Sequence, residues 1–256
     1  MAAVAFLLAV QLSASAAAPL PDGSEDHPAG SQIAKHEGVA ATDPPLGGRT
    51  VGAVPGIDVS SHQGNVDWAS HWNRGVKFAY VKATEGTAYK NASFSQQYTG
   101  SHDVGMIRGS YHFALPDRSD GAAQANFFVD NGGGWSPDGK TLPGALDVEY
   151  NPYGSSCYGL TAGQMVGWIR SFSDTYHART GRWPVIYTST NWWNQCTGSS
   201  GDFSSTNPLW IARYSESVGP LPYKWGVHTI WQYASTPIDL NEFNGTYERL
   251  VSLTNG

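Results

Sequence analysis

Eight short apolar segments constrain the fold of this 256-residue chain more than any other feature. Each has the length and composition of a buried strand, and eight strands are the number that closes a β/α barrel. We therefore expect an α/β fold, a TIM-like barrel, in one domain over residues 55–256. The eight segments are residues 56–59, 76–82, 107–114, 144–150, 185–188, 209–214, 229–233 and 238–240.

Helices are predicted mainly in the first half of this domain. Thr161 and Gln164 form a capping box, Gly181 is a stop signal, and apolar residues repeat between them at helical spacing. Residues 91–102 and 119–129 are further helix candidates. After the fifth strand the connections look too short or too polar for full helices, so we expect the last strands to close the sheet as antiparallel or irregular strands.

The N-terminal region differs in composition from the rest of the chain. Residues 1–16 form an apolar run that ends at Ala14-Ser15-Ala16, which is typical of a secretory signal peptide, although no Lys or Arg precedes the run. A buried N-terminal helix is the alternative. Residues 17–54 are rich in Pro, Gly and small polar residues and are predicted to be a linker or propeptide. The expected location is therefore secreted and extracellular.

Charge and hydropathy exclude two classes of partner. Lys and Arg number 15 against 21 Asp and Glu, a net charge of -6, whereas binding to nucleic acid needs a basic face. Apart from the N-terminal run, no segment approaches the ~20 apolar residues that a membrane-spanning helix needs. We expect no nucleic-acid partner, no membrane insertion and a monomer.

Two acids on the fourth predicted strand are the strongest candidates for chemistry. In the segment Ala145 to Tyr150, side chains alternate faces, so Asp147 and Glu149 share one face and Leu146, Val148 and Tyr150 share the other. Two like charges that close together raise the proton affinity of at least one, which is how a carboxyl group becomes a general acid near neutral pH. A solvated strand edge with two inert acids is the alternative.

Two further acids lie on the first and last predicted strands. Asp58 ends the first strand and Asp239 lies on the last one. First and last strands are neighbours in a closed barrel, and barrel enzymes carry their chemistry at the carboxyl ends of the strands. We expect all four carboxyl groups to converge there, although each aspartate alone could equally be a turn or capping residue.

The chain resembles a known family in seven ordered blocks: GIDVSSHQGNVDW, FAYVKATEG, GSYHFALP, GALDVEY, PVIYTS, LWIARY and WQY followed by IDLNEF. These blocks, between about residues 55 and 250, are similar to the secreted lysozymes of glycoside hydrolase family 25, the Chalaropsis-type N,O-diacetylmuramidases. The resemblance implies a flattened, modified barrel with about five β/α units and three closing strands. It also implies cleavage of the β-1,4 bond between N-acetylmuramic acid and N-acetylglucosamine in bacterial peptidoglycan.

The resemblance also implies roles for the four acids. Glu149 would protonate the leaving oxygen, Asp147 would be its partner, and Asp58 and Asp239 would orient groups or tune proton affinities. Either the substrate's 2-acetamido group attacks the anomeric carbon while Asp147 orients it, or a carboxylate activates a water. We favour the first route because both acids lie on one side of the sugar.

Rings and polar side chains near the acids suit a glycan cleft, because sugars present apolar C–H faces. His112 and Arg213 lie among them as further possible donors. Lys82 and Glu85 either form an ion pair that braces the second loop or contact the substrate. The candidate substrate-binding residues are Tyr111, Tyr150, Tyr187, Trp210, Tyr214 and Gln232.

Cys157 and Cys196 are the two cysteines of the chain, and in a secreted protein they predict one disulfide. The scattered histidines match no metal-binding spacing, and acid catalysis needs no cofactor, so we expect neither metal nor cofactor. Peptidoglycan glycan strands are the expected substrate. A chitin-type glycosidase and a non-catalytic glycan-binding barrel are the alternatives.

Overall fold

The computed structural model of the chain describes residues 26–39 and 50–255. Nine strands form one sheet that closes on itself through pairing of its first and second strands. All eight predicted strands are present, and the short β3 adds a hairpin to β2. The strands are β1 Val54–Val59, β2 Phe78–Glu85, β3 Tyr89–Lys90, β4 Ile107–Phe113, β5 Ala145–Asp147, β6 Val185–Thr188, β7 Leu209–Ala212, β8 Ile230–Ala234 and β9 Asp239–Phe243.

Strand direction follows the length of the connections. Strands β1, β2, β4, β5, β6, β7 and β8 pair in parallel, and only β9 runs antiparallel to its two barrel neighbours. Residues 235–238 between β8 and β9 are too few for a parallel crossover, which needs a dozen or more residues, so β9 returns as a hairpin. The prediction of antiparallel closure is therefore right for β9 and wrong for β7 and β8, whose connections are long enough to cross over.

The helices lie between the strands. The capping box of Thr161 and Gln164 begins the longest helix, and Gly181 ends it in a left-handed conformation, as predicted. The two weaker helix predictions are also confirmed, with slightly shifted ends. The helices are α1 Ser31–Glu37, α2 Trp68–Asn73, α3 Phe94–Asp103, α4 Gly121–Phe128, α5 Ala162–Thr180, α6 Thr190–Thr197 and α7 Tyr247–Asn255, with a 3₁₀ turn Ser61–Gln63 and a π turn Val129–Gly133.

Four of these helices were not predicted, namely α1, α2, α6 and α7. Helix α2 is a six-residue helix between β1 and β2. Helices α6 and α7 come after β6, the fifth predicted strand, in the part of the chain where the sequence predicts no full helices. Helix α1 lies inside the predicted linker, 17–54, and β1 begins at Val54, one residue before the predicted domain start. The predicted signal peptide, residues 1–16, lies outside the described residues.

The barrel interior is filled by large rings. Trp210 of β7 packs against Tyr80 of β2 and Tyr187 of β6, each with ring centroids 4.7 Å apart. Tyr111 of β4 meets the same indole edge to face at 6.4 Å. All four side chains are fully buried. These rings fill the barrel interior beneath the polar side chains at the strand ends.

The predicted disulfide is confirmed. Cys157 follows β5 and Cys196 lies in α6, and the two are bonded with their Cα atoms 5.2 Å apart. The bridge joins the loop after β5 to helix α6 after the neighbouring strand β6, at the carboxyl end of the barrel. Within the described residues, no helix combines the length and apolar character needed to cross a bilayer.

Candidate active site

Four carboxyl groups lie at the carboxyl end of the barrel. Asp58 of β1 stands directly opposite Asp239 of β9 in the register of that antiparallel pair, and Asp147 is the last residue of β5. Glu149 follows two residues later. All four are buried, with exposed fractions between 0 and 6%. The topology thus brings the four predicted acids to one end of the barrel.

Asp58 is held by two amide side chains. Its Oδ2 accepts hydrogen bonds from Gln232 Nε2 at 2.9 Å and Asn241 Nδ2 at 2.6 Å. Burial raises the pKa of Asp58 to about 7, although these two donors lower it. Burial, together with the charges of Asp58 and Glu149, raises the pKa of Asp239 well above its ordinary value. Neutral forms of both aspartates are therefore accessible near neutral pH.

Asp147 has a different environment. Neither of its carboxyl oxygens has a hydrogen-bond partner among the described residues. Burial and the charge of Glu149 raise the pKa of Asp147 well above its ordinary value, and Lys82 lowers it. Without a donor to stabilise its ionised form, this group retains a proton more readily than a solvated aspartate does.

Glu149 accepts three backbone hydrogen bonds from residues far away in the sequence. Gly30 N–H donates to Oε1 at 2.8 Å, and the N–H groups of Gln32 and Ile33 donate to Oε2 at 2.9 and 2.8 Å. Burial raises the pKa of Glu149 to about 8, and these three donors lower it. The N-terminal region that includes α1 is therefore in direct contact with Glu149, the predicted general acid.

Five of the six candidate substrate-binding residues surround this N-terminal region. Tyr111 Oη accepts a hydrogen bond from Ala29 N–H, and Gln232 Nε2 donates to Ala29 O. Tyr214 Oη donates to Gly30 O, and Tyr187 Oη donates to Gln232 Oε1 at 2.6 Å. Tyr150 stacks on the ring of His36 with centroids 4.2 Å apart.

The sixth candidate, Trp210, lies below the cleft in the barrel interior, where its indole N–H donates to Asn241 Oδ1 at 2.7 Å. His112 also turns away from the cleft: its ring nitrogens meet Thr84 Oγ1 at 2.8 Å and Gln124 Oε1 at 2.9 Å. Burial lowers the pKa of His112 to about 4. Strand alternation explains both positions, because one face of each strand supplies the barrel interior and the other packs under the helices.

Lys82 and Glu85 form the predicted ion pair, with Nζ 2.6 Å from Oε2, but the pair also faces the cleft. Lys82 Nζ lies 2.7 Å from Asp26 Oδ1 and donates to His27 O. Glu85 accepts from His27 N–H and contacts its Nδ1 at 2.9 Å. The ion-pair alternative is therefore confirmed, and contact of this pair with the substrate stays a prediction.

Sequence reasoning missed several polar groups of the cleft. Ser61 N–H and Oγ donate to Asp26 Oδ2, and Ser189 Oγ and Asn191 Nδ2 donate to Glu37. Ser61 follows the carboxyl end of β1, and Ser189 and Asn191 follow that of β6. Because residues after the carboxyl ends of barrel strands line the active site, this position could have identified them from the sequence.

An open cavity of about 480 Å³ continues the cleft beside α1. Tyr150, Asn191 and Tyr214 line it from the barrel, and Ile33 and Glu37 line it from α1. Among the described residues, no group of three or more His, Cys, Asp or Glu side chains is placed to hold a metal ion.

Comparison with known proteins decides the family. The family model described as glycosyl hydrolases family 25 matches residues 57–241. The chain belongs to glycosyl hydrolase family 25. It is therefore a glycoside hydrolase, and the predicted family and enzyme class are confirmed.

Individual members of family 25 are similar along most of their length. N,O-diacetylmuramidase of a Chalaropsis species is 47% identical over 210 residues, which cover 79% of this chain and all of that protein. Lysozyme M1 of Streptomyces globisporus is 43% identical over 268 residues, 99% of this chain and 91% of that one. A solved muramidase structure from Acremonium alcalophilum superposes with a TM-score of 0.78 at 56% identity, covering 79% of this chain and 99% of that chain. The predicted barrel is the fold of these enzymes.

The family 25 match contains all four acids but begins after the N-terminal region. Residues 26–39 precede residue 57, where the matched domain starts. The hydrolase domain and the polypeptide that contacts Glu149 are therefore separate parts of one chain.

Proposed function

We propose that this protein is a secreted lysozyme that cleaves the β-1,4 bond between N-acetylmuramic acid and N-acetylglucosamine in bacterial peptidoglycan. One observation carries the proposal: Asp147 and Glu149 lie buried together at the mouth of a family 25 barrel. Relatives named lysozyme and N,O-diacetylmuramidase support the choice of substrate.

Glu149 acts as the general acid in this proposal. A general acid must carry its proton at working pH, and burial shifts Glu149 in that direction. Its proton passes to the glycosidic oxygen as the bond to the anomeric carbon breaks. The leaving sugar then departs as a neutral alcohol.

Asp147 acts through the substrate's 2-acetamido group. The amide oxygen attacks the anomeric carbon, and the Asp147 carboxylate accepts the amide N–H and stabilises the positive charge that develops on the ring formed. Water then opens this ring while Glu149, now ionised, takes up the proton. Asp58 and Asp239 position the reacting groups and tune the proton affinities of the central pair.

The aromatic and amide side chains at the mouth bind the glycan. Tyr111, Tyr187, Tyr214 and Gln232 present polar atoms to whatever occupies the cleft, and Tyr150 presents a ring face that already stacks on a flat partner. Ring faces and hydrogen-bonding rims together match the two kinds of surface on an N-acetylated sugar.

Lysis of purified bacterial walls tests the proposal. Because Gly30, Gln32 and Ile33 donate hydrogen bonds to Glu149, a specific protease site is inserted after Val39. The folded protein is then cleaved, and the N-terminal fragment is removed by gel filtration at high dilution, where a fragment that has lost its tether dissociates. The cut, fragment-free protein that retains Glu149 should clear the wall suspension, whereas the same protein with Glu149→Gln should lose at least ~100-fold in rate. Asp174→Asn, which removes an exposed carboxylate on α5, is the matched control and should retain full activity.

The released fragments identify the bond. Mass spectrometry should find muramic acid at the new reducing ends, and NMR should find retention of configuration at the anomeric carbon. Reducing-end glucosamine, an inverted anomer or an active Glu149→Gln variant would each contradict the corresponding part of the proposal. Hydrolysis of chitin without lysis of walls would support the chitin-type alternative.

A further inference from the structure

The segment Asp26–Val39, called the plug here, occupies the cleft of the hydrolase domain. We propose that the plug is an intramolecular inhibitor that keeps the full chain inactive until proteolysis after the exposed residue Val39 releases it. This inference rests on the proposed role of Glu149 and Asp147. It assigns the plug a function that the composition of a linker does not suggest.

The plug blocks the proposed acid directly. Both carboxyl oxygens of Glu149 accept backbone hydrogen bonds from Gly30, Gln32 and Ile33. A glycosidic oxygen must reach the Glu149 proton at hydrogen-bond distance, and plug backbone fills that position. Substrate and plug therefore exclude each other.

The plug also reverses the protonation that catalysis needs. Three N–H donors stabilise Glu149 as a carboxylate, whereas Asp147 has no hydrogen-bond partner in the described part of the chain. A proton shared by this pair is therefore retained better by Asp147. The proposed mechanism needs the opposite distribution, with Glu149 protonated and Asp147 ionised.

Both ends of the plug are anchored to barrel side chains. At its start, Asp26 contacts Lys82 at 2.7 Å and accepts hydrogen bonds from Ser61, while His27 contacts Glu85. At its end, Glu37 accepts hydrogen bonds from Tyr150, Ser189 and Asn191. Hydrogen bonds to charged groups are stronger than those between neutral groups, so these anchors hold both ends of the plug in the cleft.

Apolar contacts add to these anchors. Ala29 and Ile33 are 0 and 1% exposed, as deeply buried as the barrel core. A linker that lay loosely on the surface would leave such side chains in water. The plug instead fits its cleft in the manner of a bound ligand.

Gly30 shows how closely the fit depends on one residue. A Cβ atom at this position would lie 1.9 Å from Tyr214 Oη and 2.5 Å from Tyr187 Oη, and the φ angle of Gly30 is +84°. Only glycine allows the backbone to approach the cleft this closely. Gly38 has nearly the same φ, +83°, but nothing lies within 4 Å of a Cβ atom built there.

The last residue of the plug is accessible to a protease. Val39 is 49% exposed, and Val51, next to the start of the barrel, is fully exposed. A cut after Val39 makes the plug a separate molecule. Its local concentration at the cleft then falls from that of a tethered ligand to that of a dilute peptide, and dissociation follows.

The test compares uncut and cut protein. The chain with a protease site inserted after Val39 is assayed for wall lysis before cleavage and after cleavage and removal of the fragment. We expect at least ~100-fold higher activity after release. In the uncut chain, the state with the plug in the cleft would then be favoured over the state with the plug outside it by at least about 2.7 kcal/mol. Uncut protein that lyses walls within about threefold of the cut protein would overturn the inference.

Two glycine variants of the uncut chain separate steric release from backbone strain. Gly30→Ala should lyse walls without cleavage, because its methyl group collides with Tyr214 and Tyr187. Gly38→Ala bears at least as much backbone strain, with ψ at 170°, but collides with nothing, so it should remain inactive until cut. Equal activity of the two uncut variants would contradict the inference.

Binding of the plug as a peptide keeps the inference separate from the proposed function. A fluorescein-labelled peptide of residues 26–39 should bind the cut, fragment-free protein in an anisotropy titration, and the same peptide with Gly30→Ala should bind at least ~30-fold more weakly. If the cut protein binds the peptide but lyses no walls, the proposed function fails while the plug remains a ligand of the cleft. If the peptide does not bind, the inference fails whatever the lytic activity.

Discussion

The charge of Asp26 helps to hold the plug in the cleft, a state called closed here. Replacing Asp26 with asparagine measures how much this charge contributes. Burial raises the pKa of Asp26, but the charge of Lys82 and the hydrogen bonds from Lys82 and Ser61 outweigh it and lower the pKa from 3.8 to about 2. The difference corresponds to about 2 kcal/mol in favour of the closed state when Asp26 is ionised. Asparagine keeps the shape and an acceptor for Ser61 but not the charge. Asp26→Asn should therefore raise the lytic activity of uncut protein by roughly 30-fold.

The same pKa shift sets a pH window. Because the pKa is lower in the closed state, Asp26 stabilises closure fully above about pH 4, and that contribution is lost as the pH falls toward 2. The ratio of uncut to cut activity should therefore rise on acidification below about pH 4 in the wild type and change less in Asp26→Asn. Taking the ratio cancels the pH dependence of the hydrolysis itself.

Lys35→Gln is the charge-changing control within the plug, since Lys35 is exposed. It should leave the ratio of uncut to cut activity at the wild-type value. An Asp26→Asn variant whose ratio equals that of the wild type throughout the pH range would refute the reasoning.

Three further predictions concern the hydrolase domain. Replacing Cys157 and Cys196 with alanine should lower the free energy of unfolding by about 4 kcal/mol, because the bridge spans 39 residues, and an unchanged denaturant midpoint would contradict this. Gly121→Ala should destabilise by about 1–3 kcal/mol, because its Cβ atom would lie 2.3 Å from a backbone oxygen of α5, whereas Gly167→Ala on the open face of α5 should stabilise by about 0.5–1 kcal/mol. Lysis by cut protein should fall on the alkaline side as Glu149 loses its proton, and a decline that already begins at pH 4.5, the ordinary glutamate value, would show that its pKa is not raised.

The barrel and its acids were predictable because their signals are local. Alternation on a strand places Asp147 and Glu149 on one face without reference to the rest of the molecule. Eight apolar segments predict closure, and closure in turn brings Asp58 and Asp239 together. The one-to-one register of these two aspartates, by contrast, appears only once β9 pairs with β1.

The late helices α6 and α7 were missed because they are short. Two turns contain too few residues for an apolar period to stand out, and tertiary packing rather than periodicity stabilises such helices. In α6, Trp192, Trp193 and Cys196 are buried against the barrel, and Ser189 caps the first turn. Their burial, which the sequence does not show, decides that the segment is helical.

By itself, the sequence determined the strands, the acids, the disulfide and the family, because each depends on side-chain type and spacing. Only the tertiary structure decided that residues 26–39 lie in the cleft. The groups that bind Glu149 are backbone N–H groups of Gly30, Gln32 and Ile33, and nearly every residue has one. A contact made by such groups leaves no mark in composition or pattern, so it becomes visible only when the fold brings the donors to their acceptor.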